Sequence, residues 1–140
     1  MANLTTAFDN KIVDHVHGKV SFTMPQLFIG LSSTTPTIAG AFTEPTIGTG
    51  GYARIATTGA SWNAAAAGVA ANAAALSFPA SSAAWSSGAS ALTHLCYFDN
   101  ATATGAANLV MFAPLTPSVT VNAAGITVNF AIGAISDTQA

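Results

Sequence analysis

Between Thr6 and His17 the apolar positions Phe8, Ile12, Val13 and Val16 recur at helical spacing and form one stripe. This period predicts an α-helix over about residues 6–17. Thr6 and Asp9 fit a capping box at its start, where a side chain satisfies exposed amide donors. His15 and His17 fall in the last turn, where positive charge suits the helix dipole, and Gly18 is a natural stop. The period then changes to two. Phe22 to Met24 leads through Pro25 into Gln26–Leu31, a mostly apolar strand. Residues 32–51 read as one long Ser/Thr-rich connection with Pro36, Pro45 and four glycines. Loops of that length are uncommon in compact domains unless they bind something or reach a neighbour.

At the end of this loop stands Gly48-Thr49-Gly50-Gly51-Tyr52-Ala53-Arg54-Ile55-Ala56. Gly50 and Gly51 permit a sharp reversal through positive φ, and alternation from Tyr52 predicts a strand over 52–58. The alanine-rich segment 64–75 lacks a large apolar stripe, so it reads as a loop and then a strand near 72–78, ending at Pro79. Ala84-Trp85 and Leu92–Phe98 continue the β pattern. A turn over 99–105 precedes a strand over 109–115, ended by Pro114 and Pro117. Val119-Thr120-Val121 and Ile126–Phe130 flank Asn122-Ala123-Ala124-Gly125, the pattern of a hairpin. Short strands between Gly/Pro turns predict an all-β domain over residues 1–140. Its architecture is a sandwich or jelly-roll-like barrel with one short N-terminal helix.

Composition sharpens this picture at one point. Charged residues make up 6% of the chain, against about 25% in ordinary soluble domains. A surface so poor in charge predicts covering by copies of the same chain or by a larger assembly. Three scattered basic residues make no phosphate-binding stripe, so nucleic-acid binding is not expected. No stretch is apolar enough for a membrane-spanning helix, and the start lacks the basic flank of a secretory signal. Cys96 stands alone and cannot form an internal disulfide.

Candidate chemistry is thin. His15 and His17, two apart on a helix, point to nearly opposite sides. His94 and Cys96 would share a strand face, half a zinc site at most. The sequence has no nucleophile elbow and no phosphate-cradling glycine loop, and Asp99-Asn100 lacks the further ligands of a calcium loop. Neither enzymatic activity nor a cofactor is expected. Arg54, the single arginine, is expected to point outward and to pair with Glu44 or Asp99, preferably across a subunit interface.

The order of several segments resembles a family of small tailed-bacteriophage virion proteins, often labelled tail-fibre or minor structural proteins. The matching segments are Asn10–His15, Gln26–Ser32, Gly50–Arg54, Leu76–Ala80 with Trp85, Thr93–Asp99 and Val119–Gly125. The resemblance implies a non-enzymatic structural role on a phage particle. Together with the long loop and charge-poor surface, it leads to a capsid decoration (cement) protein. Such a protein would be a homo-oligomer, expected to be a trimer, bound to the major capsid protein on the head. The alternative is a tail-fibre or baseplate component that recognises host carbohydrate or receptor through its loops. Residues expected at the interface are Arg54, Tyr52, Glu44, Phe42 and Asp99.

Overall fold

The computed structural model describes residues 3–85 and 90–138. Strand β1 (Asn3–Leu4) leads into helix α1 (Thr6–Val16) and then β2 (Phe28–Ser32) and β3 (Ile55–Ala56). There follow β4 (Val69–Ala71), β5 (Leu76–Ser77), β6 (Leu92–Phe98), β7 (Leu109–Val119), β8 (Asn129–Phe130) and β9 (Ser136–Thr138). Five strands form an antiparallel sheet in the order β1-β7-β6-β2-β3, and two ribbons, β4–β9 and β5–β8, complete the architecture. The fold is all-β and sandwich-like, and the described strands do not close into a barrel.

Strand β6 is the spine, and its extent matches the sequence expectation of 92–98. Alternation along it divides the core. Leu95 and Tyr97 join the large cluster with Ile29, Leu31, Tyr52, Phe78 and Trp85, while Cys96 and Phe98 join Leu109 and Phe112 in a second. Both sheet faces are therefore covered, which is why β6 is nearly continuously buried. On β7, Tyr97 pairs with Met111 but Phe98 pairs with Leu109, so Val110 is an extra residue in the ladder. Its carbonyl is free to serve elsewhere. It accepts the backbone N–H of Thr5 at 2.9 Å.

The helix start differs from expectation. Thr5, not Thr6, is the N-cap residue, and its side chain makes no cap bond. Its hydroxyl instead donates to the carbonyls of Leu109 at 2.7 Å and Val110 at 3.2 Å, tying the start of α1 to β7. The stop is as expected, with His17 as C-cap and Gly18 at φ 68°. The stripe behaves differently again: Phe8 is buried, but Ile12, Val13 and Val16 are 40%, 53% and 74% exposed. Only one turn of the helix touches the core.

Three further expectations are corrected. The strand expected over 52–58 is regular only at Ile55–Ala56. Pro114 and Pro117 do not end β7, which runs through to Val119. β1 covers only Met111 and Phe112, so beyond them one flank of β7 is an edge that requires no N–H donor. The hairpin over 119–130 does not form. Residues 76–81 run beside its second arm: Leu76 pairs with Phe130, Phe78 N–H donates to Val128, and Ser81 engages both Ile126 and Gly125.

Replacing Thr5 with Val keeps the shape but removes the hydroxyl from two buried carbonyls. It is expected to lower unfolding free energy by about 1–3 kcal/mol, measured by urea denaturation, with the helix signal otherwise unchanged.

Candidate functional site

The loop after β2 folds onto its own chain. The Ser32 hydroxyl donates to the carbonyls of Thr34 and Thr43 and accepts the N–H groups of both. Loop and sheet converge on Arg54. Arg54 Nε lies 2.9 Å from Glu44 Oε1 and Nη2 lies 2.6 Å from Oε2, a side-on pair with side chains 0% and 3% exposed. Nη1 donates to the carbonyls of Asn100 at 2.6 Å and Ala103 at 3.0 Å, in the turn after β6. The guanidinium lies over the Phe98 ring, 3.4 Å from its centroid, and Phe42 meets that ring edge-on at 5.0 Å. Arginine's planar fork suits this combination of carboxylate, carbonyl and aromatic contacts.

Tyr52 couples the pair to the core. Its hydroxyl donates to Glu44 Oε1 at 2.7 Å and accepts the N–H of Leu31 at 2.9 Å. Its ring stacks on Phe78 and meets Trp85 edge-on. Burial, and then the Glu44 charge, push the phenol well above its usual range, so it stays a donor. Gly30 makes the geometry possible. A Cβ there would come within 2.6 Å of Glu44 Oε1 and 2.8 Å of the Phe98 ring. The glycine turn expected before Tyr52 is present, with Gly50 at φ 61° and Gly51 at φ 77°, and the Trp85 indole donates to the Gly50 carbonyl at 2.7 Å.

The sequence-predicted residues are thus drawn together, but differently from expectation. Arg54 points inward, and its carboxylate partner is Glu44 of the same chain. Tyr52, Arg54 and the Glu44 side chain are buried within one copy, and Phe42 is half-buried against Phe98. Asp99 sits apart, accepting Asn108 Nδ2 at 2.8 Å, while Arg54 uses the backbone of the turn that follows. A direct signal was available. Tyr52 and Arg54 are two apart, and strand alternation places both on one face.

His94 is half-buried beside the Thr93 hydroxyl, and burial lowers its pKa. Cys96 is buried, and that burial raises its thiol pKa. No cluster of three or more His, Cys, Asp or Glu suited to a metal exists among the described residues.

A second polar cluster had no sequence signature. The Tyr97 hydroxyl donates to Asp137 Oδ2 at 2.6 Å, and Trp62 leans on the Tyr97 ring at 5.8 Å. Asn72, fully buried, donates from Nδ2 to Ala74 and Ala131 and accepts the Ile135 N–H, pinning the C-terminal segment.

Replacing Arg54 with Ala leaves Glu44 unpaired in the interior and is expected to cost the isolated chain about 3–5 kcal/mol. The double variant Arg54→Met, Glu44→Gln should recover much of that loss in the same denaturation experiment, since it buries no orphan charge. Burial, opposed by the Tyr97 hydrogen bond, raises the Asp137 pKa above its ordinary 3.8. A raised carboxyl favours the folded state when protonated. Its stabilising share is complete below 3.8 and is lost as pH rises through the folded value. Asp137→Asn should flatten that part of the stability–pH curve, measured as unfolding midpoints upward from 3.8.

A comparison with curated proteins finds no match. The sequence model of the family described as "Podophage GP4 fiber I protein gp80" matches residues 3–138, nearly the whole chain. That family is a structural fibre class, not a known class of enzyme. The chain belongs to this family of phage virion structural proteins.

Proposed function

We propose that the protein is a self-associating structural subunit of a virion fibre, contributing contact area rather than chemistry. The observation that carries this reading is the exposed face of α1. Ile12, Val13 and Val16 project from it, followed by exposed Val20 and Met24, with exposed Ile38 in the loop whose carbonyl holds the Thr6 N–H. In a chain with 6% charged residues, an apolar face of this kind is one that assembly covers. The family description supports a fibre. The assembly proposed is a closed homotrimer, with the α1 face at its interfaces.

A second reading, decoration of the head shell through contact with the major capsid protein, is favoured by one observation. The accessible surface of 7109 Å² for 13.9 kDa is near the roughly 6,700 Å² of a compact monomer of that mass. The described residues contain no extended shaft. Gold-labelled antibody on intact particles separates the two readings, with label on fibres expected from the first and label over the head from the second.

Light scattering of the purified chain tests the assembly surface. The wild type should run as a trimer, and the triple variant Ile12→Ser, Val13→Ser, Val16→Ser should be monomeric with an unchanged β signal. A wild-type monomer at all concentrations would remove α1 as the assembly face.

A further inference from the structure

A closed homotrimer makes a demand that the exposed face of α1 does not meet alone. A self-complementary patch is used up when two copies meet, so a closed ring of three needs a second, different patch on each copy to receive the first. The apolar residues Ile12, Val13 and Val16 share one helix face and form a ridge. Their counterpart must be apolar and concave.

One surface hollow has both properties. It measures about 400 Å³ and is lined by Leu27, Trp62, Tyr97 and Met111. Room is left because Ala65 and Ala70, which also line it, carry only a methyl group. Leu27 and Trp62 are half-buried in the single copy, so further cover would remove more apolar surface from water. A helix with its side chains is about 10–12 Å across, so a hollow of this size receives side chains from one helix face rather than the helix itself. The adjoining hollow is less suitable, because Gln26, Thr57 and Thr58 line it. An aliphatic ridge would cover those polar groups without bonding them.

Charge selects the occupant. Arg54 is buried, and the two lysines, both exposed, lie on α1 and in the turn after it. Lys11 Nζ is placed over the Phe8 ring, 4.2 Å from its centroid. Lys19 enters no ion pair among the described residues. Of the acids outside this segment, Glu44 is held by Arg54 and Asp99 accepts the Asn108 amide. The remaining acid is Asp137, the one charged residue lining the hollow, where its carboxylate accepts the Tyr97 hydroxyl.

We propose that this hollow receives α1 of the next copy in the ring, with Ile12, Val13 and Val16 entering it and Lys19 brought to Asp137. The inference rests on the self-association proposed above and names the surface that completes it. The contact is heterologous, so each copy gives its helix to one neighbour and its hollow to the other.

Analytical ultracentrifugation of full-length variants tests this. One variant, Ile12→Ser, Val13→Ser, Val16→Ser, keeps its hollow. The other, Ala65→Trp, fills the hollow from an exposed position and keeps its helix face. Each alone should be monomeric with an unchanged β signal, and an equimolar mixture should form a one-to-one heterodimer. Ala70→Leu, which narrows the hollow from β4, should weaken assembly in the same direction. Lys19→Gln should raise the dissociation concentration of the wild type a few-fold and have no further effect in Asp137→Asn. Ala65→Trp and Ala70→Leu chains that assemble like the wild type overturn the proposal but leave α1 as the assembly face. A wild-type monomer at all concentrations removes both. A mixture that stays monomeric, or an equal Lys19→Gln loss in both backgrounds, also overturns it.

Discussion

The fold turns on a single desolvated ion pair. Arg54 and Glu44 are ten positions apart in sequence, yet their contact gathers a long loop, the turn after β6 and, through the Phe98 ring, the central strand β6 at one point. Through Tyr52 the same point reaches the Leu31 amide and the aromatic core. Burying two charges is costly, and a pair of this kind adds less net stability than its geometry suggests. Its value here lies in selection. Few other ions exist to compete, so one arrangement of loop and sheet satisfies the guanidinium and the alternatives leave it orphaned. A stretch otherwise made of small, interchangeable residues thereby acquires a single register.

Around that point the architecture economises on large side chains. Alanine, serine, threonine and glycine fill much of the chain, so specific packing falls to a few rings: Tyr52, Phe78 and Trp85 in mutual contact, and Phe42 against Phe98. Where no ring is present, buried polar side chains replace sheet ladders. Asn72 holds the C-terminal segment, Ser81 holds the 122–126 turn, and Ser32 holds the loop, each meeting backbone groups that short strands leave unpaired.

How much of this could be read in advance follows from the range of each signal. Leu92–Phe98 and the Gly18 helix stop were legible because the pattern and the cause are local. The passage of β7 through Pro114 and Pro117 was not, because the tolerance comes from an unpaired flank that only the sheet order reveals. Val119–Val121 and Ile126–Phe130 alternate as hairpin arms should, but residues 76–81 compete for the second arm and win. For the site, proximity of Tyr52 and Arg54 was written in their spacing, whereas Glu44 lies in a loop with no period. Trp62, Tyr97 and Asp137 are scattered over the sequence and meet only through the β4–β9 ribbon and β6.

The fastening of Thr5 to Leu109 and Val110 spans more than 100 positions. The ribosome therefore delivers β1 and α1 long before the strand that receives them. Until β7 emerges, Phe8 lacks its final burial and the valines of α1 add to an exposed apolar segment. Docking of β1 and α1 therefore waits on β7. The spine strand β6 and its partner β7 are made before β1 and α1 can dock, and β8 and β9, later still in the chain, close the two remaining ribbons.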